Sequence, residues 1–148
     1  MNIELILLQR HGDERGGLIA LEENANVPFN VKRVYYLFDT KPGVRRGLHA
    51  HKTLTQLVIA VRGTCHFVLD NGRERIELSL DNPAQGLLVP PMMWREMYDF
   101  SEDCVLMVLA DQVYDEQDYI RDYDQFLQYA NVALSAPSSL PGRTNIDG

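Results

Sequence analysis

The chain has 148 residues, 45% hydrophobic and 24% charged, with a formal net charge of −7. That is the composition of one globular domain with a real core, not of a disordered chain, and no apolar run reaches the roughly 18 residues of a membrane span. The 14 basic residues against 21 acidic ones exclude a general nucleic-acid surface, which needs a basic face, but leave room for a small anion held by a few arginines.

At the start, Glu4 interrupts the first apolar stretch and no basic segment precedes it. No secretory signal is expected, and the expected compartment is the cytoplasm. Apolar residues then alternate or run in short blocks between turn signals, the pattern of a sandwich or barrel. Val31 to Phe38, rich in β-branched and aromatic residues, reads as a strand, and Asp39 to Gly43 as a turn. Thr55 to Val61 is a second strand. Cys65 to Leu69 and Arg73 to Leu80 read as a hairpin, with Asn71-Gly72 as the two left-handed residues of a type I′ turn.

Gly86 to Val89 is a short buried strand before Pro90-Pro91. Cys104 to Ala110 is a continuous apolar strand, as expected deep in a barrel. Cys65 and Cys104 therefore lie inside strands and read as buried free thiols in preference to a disulfide. From Asp115 the period changes. Tyr119, Ile120, Tyr123, Phe126, Leu127 and Ala130 recur at helical spacing after an acidic first turn, predicting one amphipathic helix that ends near Tyr129. Residues 131–148, with Ser135 to Gly142 rich in Ser and Pro, read as a linker-like tail behind a domain at 1–130. No internal repeat, phosphate-binding loop or Rossmann glycine pattern is present.

Gly43, His49, His51, Gln56 and Gly63 have the spacing of the first cupin motif. His49 and His51 stand two apart on a strand, so both rings face one side. In metal-binding cupins these histidines and a glutamate are ligands, and a second motif adds another histidine. Here Gln56 occupies the glutamate position, and Arg95, counted from Pro90, the histidine position. An amide replaces an anionic ligand, and a guanidinium is cationic without a lone pair to donate. The sequence therefore predicts a site with no metal and no other cofactor.

The plain alternative is a pair of ordinary core or surface histidines. Two on one face beside Arg45, Arg46 and Lys52 favour a site, whereas His11 and His66 have no such context. Neutral imidazoles, with pKa near 6.5, can take and return protons at neutral pH. A flanking cation can stabilise an enolate oxygen. The reaction class this suits is proton abstraction next to a carbonyl, and an arginine cluster suits a diphosphate.

Arg46-Gly47-Leu48-His49-Ala50-His51-Lys52, Gly86 to Met97 and Tyr114 to Tyr123 closely resemble the dTDP-4-keto-6-deoxyglucose 3,4-ketoisomerases, over about residues 3 to 130. The resemblance implies an all-β fold, a metal-free cupin or double-stranded β-helix jelly roll. It implies a homodimer, often with exchanged N-terminal strands. It also implies a thymidine diphosphate sugar whose keto group moves from C-4 to C-3 through an enediol, for deoxyaminosugar biosynthesis. By that likeness His49 is the base for the C-3 proton, and His51 moves protons between the C-3 and C-4 oxygens. Tyr35 and Arg46 match pocket-lining positions, with Arg46 directed to the diphosphate or enediolate. Residues matching Arg15 and Arg95 go with the C-4 configuration of the product. The combination of Arg15 with Arg95 fits neither branch, so the galacto and gluco products both stay open.

Lys52 points away from the histidine face by alternation, and Arg45 reads as solvated. Trp94, Met92 and Met93 divide evenly between core packing and a ligand wall. Tyr119, Tyr123 and Phe126 read as core or dimer contacts in preference to a base-stacking platform. Three rival functions remain. A dTDP-sugar 3,5-epimerase typically pairs its histidine with a distant Asp and a Tyr, and this chain's motifs fit it worse. The others are a non-catalytic nucleotide-sugar-binding cupin and a metal-dependent cupin enzyme.

Overall fold

Leu57, Val58, Ile59 and Ala60 of strand β6 (Gln56–Arg62) are all buried, because both faces of this strand are covered. Val58 and Ala60 face the main core with Phe67, Leu69, Leu87, Val89, Leu106 and Val108. Leu57 and Ile59 face a second cluster with Leu8, Val27 and Leu109. A strand covered on both sides needs the unbroken apolar run seen here. The computed structural model describes residues 1–135, with side chains through Asn131.

β6 is central in a five-stranded antiparallel sheet, β1 (Glu4–Leu7), β9 (Gln85–Val89), β6, β11 (Val105–Ala110) and β4 (Arg33–Leu37). A second sheet lies across the main core. Its order is β12 (Tyr119–Ile120), β5 (Arg46–His51), β10 (Trp94–Tyr98), β7 (Cys65–Asp70) and β8 (Arg75–Leu80). Two antiparallel sheets closed over one core in this order form a jelly roll. Phe67 is buried at its centre, and truncating such a side chain to alanine costs about 3–5 kcal/mol.

β2 (Arg10–Asp13) and β3 (Gly16–Ile19) form a separate, mostly exposed hairpin. The outer face of the second sheet is sealed by α1 (Tyr123–Ser135), which sets Phe126 and Ala130 against Ala50, Trp94 and Ile120. Asp122 caps this helix, accepting from Gln125 N at 3.0 Å. Among the described residues no helix is long and apolar enough to cross a membrane.

The expected C-terminal helix forms, but it does not start at Asp115. Asp115 caps a short 3-10 turn at Glu116–Asp118, Tyr119 and Ile120 form β12, and α1 starts only at Tyr123. Tyr119 and Ile120 pair with His51 and Ala50, and the backbone N of Lys52 donates to Asp118 O at 2.9 Å. Sheet pairing consumes the groups a helix would need, and tertiary context overrides the local period. At the other end α1 continues past Tyr129 to Ser135, so residues 131–135 are helical and not linker. The rest of the expected tail, 136–148, lies outside the described residues.

The hairpin between β7 and β8 is present, but its turn is shifted. Asp70 pairs with Arg75 and Asn71 N donates to Glu74 O, which leaves Gly72 and Arg73 central. Only Gly72 has a positive φ, +93°, the pattern of a type II′ turn. Asn71 instead uses its side chain, with Oδ1 accepting from Arg73 N and Glu74 N, both at 2.8 Å. Cys65 and Cys104 are buried free thiols, as expected.

Candidate functional site

The site begins with an irregularity in β5. Across β10, His49 opposes Arg95, Gly47 opposes Glu96 and Arg46 opposes Met97, so Leu48 is an extra, unopposed residue. Gly47 and Leu48 have φ of +84° and +55°, and the pair forms a β-bulge. A Cβ on Gly47 would meet the Arg95 carbonyl oxygen at 3.1 Å, which is why glycine stands here.

The bulge has two consequences. It turns the Gly47 carbonyl onto His49, whose Nδ1–H donates to it at 2.9 Å. It also resets the pleat. Without it Arg46 and His49 would face opposite sides, but opposite Met97, which packs against the inner core, Arg46 joins the inner face. Arg45 goes outward, to Glu96 at 2.8 Å and over the Tyr98 ring at 4.2 Å. It is therefore partnered and not merely solvated.

His49 and His51 stand edge to face with centroids 4.9 Å apart, and Tyr119 lies 5.0 Å from the first ring and 4.3 Å from the second. His49 is partly open, while His51 is 1% exposed. Burial and the nearby Arg95 cation hold His49 down at about 3 and His51 at about 4, against opposing pulls from the Gly47 bond and from Asp118. Both rings are neutral at pH 7.

Arg95, 3% exposed, reaches the same space from β10. It donates to Gln56 Oε1 through Nη1, and to the Met93 carbonyl oxygen at 3.1 Å through Nη2. Gln56 Nε2 donates in turn to the Tyr35 hydroxyl oxygen at 3.0 Å. Burial lowers Arg95 to about 10, so it keeps its charge at pH 7. Burial raises Tyr35, with Arg95 and Gln56 pulling back. Tyr35 therefore keeps its proton, and with its oxygen accepting from Gln56, that O–H is the group left to donate. Arg95 and Gln56, the guanidinium and amide of this guanidinium–amide–phenol chain, stand at positions where metal cupins carry ligands. Such a donor set offers a metal no carboxylate and a permanent cation. Among the described residues no group of three or more His, Cys, Asp or Glu is arranged to hold a metal ion.

The fold thus brings together Tyr35, His49, His51 and Arg95, with Arg46 at the exposed end of the same inner face. It does not bring Arg15 to them. That side chain is 86% exposed and paired with Asp13 at 2.6 Å, in the turn between β2 and β3. Lys52 points away as predicted, its Nζ 5.2 Å from the Tyr129 ring centre. Trp94 and Met92 pack with α1, and Met93 lies in the main core. A cavity of about 560 Å³ lined by Arg10, Ile19, Ile59 and Met107 opens on the outer face of the first sheet, away from the histidines.

Three site residues escaped the sequence reading. Asp118 is buried and accepts from His51 Nδ1 at 3.1 Å. Tyr119 lies on both histidine rings. The Arg33 guanidinium stacks on Tyr35 at 4.6 Å and Tyr114 at 5.3 Å. The first two were hidden by the assumed helix. The alternation of Arg33 with Tyr35 in a predicted strand was a usable signal for the third.

Comparison with known proteins gives the family and the fold. Residues 1–131 match the family model described as "FdtA: WxcM-like, C-terminal". A TDP-4-oxo-6-deoxy-alpha-D-glucose-3,4-oxoisomerase from Aneurinibacillus thermoaerophilus is 53% identical over 129 residues, covering 87% of this chain and 93% of that protein. A 3,4-ketoisomerase from Helicobacter canadensis superposes with TM-score 0.85 at 46% identity, over 88% of this chain and 98% of the other. The 3,4-ketoisomerase QdtA from Thermoanaerobacterium thermosaccharolyticum, crystallised as a mutant in complex with TDP-4-keto-6-deoxyglucose, does so with TM-score 0.86 at 40% identity, over 88% and 94%. A dTDP-4-dehydrorhamnose 3,5-epimerase from Bacillus anthracis, at 18% identity and TM-score 0.70 over 80% of this chain and 77% of the other, shares the fold.

Proposed function

This chain belongs to the family of TDP-sugar 3,4-ketoisomerases, and from that premise we propose that it converts a dTDP-4-keto-6-deoxyhexose to the 3-keto sugar through an enediol, without a metal. The observation that carries the reading is the pair of neutral histidines on one inner face. Each has Nδ1 committed, to Gly47 O and to Asp118 Oδ2, which leaves each Nε2 to exchange protons.

His49, the more open of the two, removes the C-3 proton. The electrons of that bond form the C-3–C-4 double bond, and the C-4 oxygen takes up a proton from the Tyr35 hydroxyl or through His51. The C-3 hydroxyl then returns a proton to the group that protonated the C-4 oxygen, C-4 takes up the proton carried by the His49 imidazolium, and the carbonyl stands at C-3. No atom or electron is gained or lost, so no redox cofactor is needed. Arg95, buried and cationic, offsets the negative charge that develops on the enediolate, with a field strengthened by its burial. Arg46 holds the diphosphate at the pocket end. The dianionic substrate also raises the basicity of both histidines from the low values of the free protein.

Arg15 reaches a site only if the β2–β3 hairpin is exchanged with a second copy. Two features support a homodimer of this kind: the exposed hairpin, and the apolar outer side of edge strand β4, where Val34, Tyr36 and, just beyond the strand, Phe38 are all more than half exposed. Buried free thiols fit a reducing cytoplasm.

The test is proton NMR in D2O with chelator-treated protein and freshly made dTDP-4-keto-6-deoxyglucose. A 3-keto product deuterated at C-4, with deuterium at C-3 only in the 4-keto substrate that remains, and no label in His49→Asn, is the expected result. The C-4 proton couplings in H2O give the galacto or gluco configuration. Deuterium at C-5 instead would mark a 3,5-epimerase, the reading the His51–Asp118 pair and Tyr119 would then serve. Tight nucleotide binding with no exchange would leave a binding protein.

A further inference from the structure

We propose that Asp118 is a positioning residue for catalysis, fixing the proton of His51 on Nδ1 so that Nε2 carries its lone pair inside the barrel; the inference rests on the ketoisomerase reading.

The two carboxylate oxygens of Asp118 have separate tasks. Oδ1 accepts from Thr53 N at 2.9 Å and from Thr53 Oγ1 at 2.8 Å. That half ties the 3-10 turn to the end of β5 and is structural. Oδ2 faces His51 Nδ1 at 3.1 Å. Burial works against the charge of Asp118, but the Thr53 bonds and His51 outweigh it and hold the group below its ordinary value. The carboxylate is therefore ionised and can only accept. The proton between the two residues belongs to His51, and it sits on Nδ1.

The other nitrogen makes the assignment consequential. His51 Nε2 is buried and has no hydrogen-bond partner among the described residues. A buried polar atom left unpaired costs about 1–3 kcal/mol and persists where it has work to do. Only with Nδ1 protonated does Nε2 offer a lone pair to a sugar hydroxyl. The opposite tautomer would present N–H at Nε2 and set the Nδ1 lone pair against the negative oxygen.

Register holds the carboxylate in place. Tyr119 pairs with His51 and Ile120 with Ala50, so the strand that lays Tyr119 on the histidine rings also sets Asp118 beside Nδ1. His49 obtains the same tautomer from its own bulge, through Gly47 O. The two histidines are thus set by independent devices, one local and one 67 residues away in sequence.

Asp118→Asn tests this. Its amide can donate to Nδ1 and stabilise the wrong tautomer, a change that costs a serine protease about 10⁴-fold in kcat. Protein labelled with ¹⁵N-histidine is examined by long-range ¹H–¹⁵N correlation, and the His51 signals are assigned by their loss in His51→Asn. The expected wild-type result is the proton on Nδ1. In Asp118→Asn the proton moves to Nε2 and kcat falls at least ~100-fold with KM changed only a few-fold, whereas Asp118→Glu recovers part of the rate.

A wild-type His51 protonated on Nε2 overturns the proposal even if Asp118→Asn does not fold. A folded Asp118→Asn with unchanged tautomer, or with kcat within a few-fold of wild type, overturns it too. The spectra need no turnover, so a wild-type protein inactive on dTDP-4-keto-6-deoxyglucose would count against the ketoisomerase reading and leave the tautomer result standing by itself.

Discussion

Holding two histidines uncharged inside the barrel makes the fold sensitive to mild acid. In the unfolded chain each imidazole titrates near 6.5, whereas the folded protein keeps His49 at about 3 and His51 at about 4. Between those values and 6.5 only the unfolded chain takes up the protons, so falling pH favours unfolding. The loss starts as pH drops through about 6.5 and stops growing below the folded values. At pH 5.0 it amounts to about 2 kcal/mol for each histidine, and at pH 7.5 it is close to zero. The pair should therefore remove about 4 kcal/mol between these two pH values, a large share of the 5–15 kcal/mol typical of a domain.

The measurement is urea unfolding at both pH values and fixed protein concentration. The fluorescence of Trp94, the chain's one tryptophan and 3% exposed, serves as the signal. Wild type is compared with His49→Asn and with His49→Asn/His51→Asn. The acid-induced loss should shrink by about 2 kcal/mol for each histidine removed. The double variant also carries the background from carboxylates, which titrate lower. If its loss equals that of wild type, the histidines are not held neutral, and the account of them as proton acceptors fails.

Gly47→Ala should lower the melting temperature and cut turnover together, because the added Cβ meets the Arg95 carbonyl in the bulge that aims His49. The stability part should be at least about 1 kcal/mol. Gln56→Glu with Arg95→His restores the donor types of a metal cupin; the double variant should retain zinc through dialysis, measured by atomic emission, and wild type should not. Cys65 and Cys104 should resist Ellman's reagent at pH 8 in the native protein and both react in denaturant, since burial raises both thiols.

Much of this site was readable where its determinants are local. The spacing of His49, His51 and Gln56 lies within one strand–loop–strand, and the exchange of metal ligands for Gln56 and Arg95 needs only side-chain chemistry. Strand β6 was readable because both its faces are apolar. What could not be read depends on partners distant in sequence. Tyr119, Ile120, Tyr123 and Phe126 satisfy a helical period, and only the pairing of the first two with β5 makes them strand while the last two stay helical. The bulge was invisible because Gly47-Leu48 is as compatible with regular pleat as with an extra residue; its register against Arg95 and Glu96 decides. The turn at Gly72-Arg73 moved by one position because the Asn71 side chain competes for the backbone amides that follow. The β2–β3 hairpin, which carries Arg15, buries too little apolar surface to leave a period in the sequence.

The His51–Asp118 link also bears on the order in which the protein matures. It closes a loop of 67 residues that contains most of both sheets, and long closures of this kind form late because their entropic cost precedes their reward. The main core can condense around Phe67 and Leu106 while residues 115–120 are still unpaired. During refolding, burial of Trp94 and return of activity should then separate in time only as far as α1 docks before β12 pairs. A chain still emerging from the ribosome would acquire its barrel before its working chemistry, and so would not act on sugar nucleotides until β12 had joined the sheet.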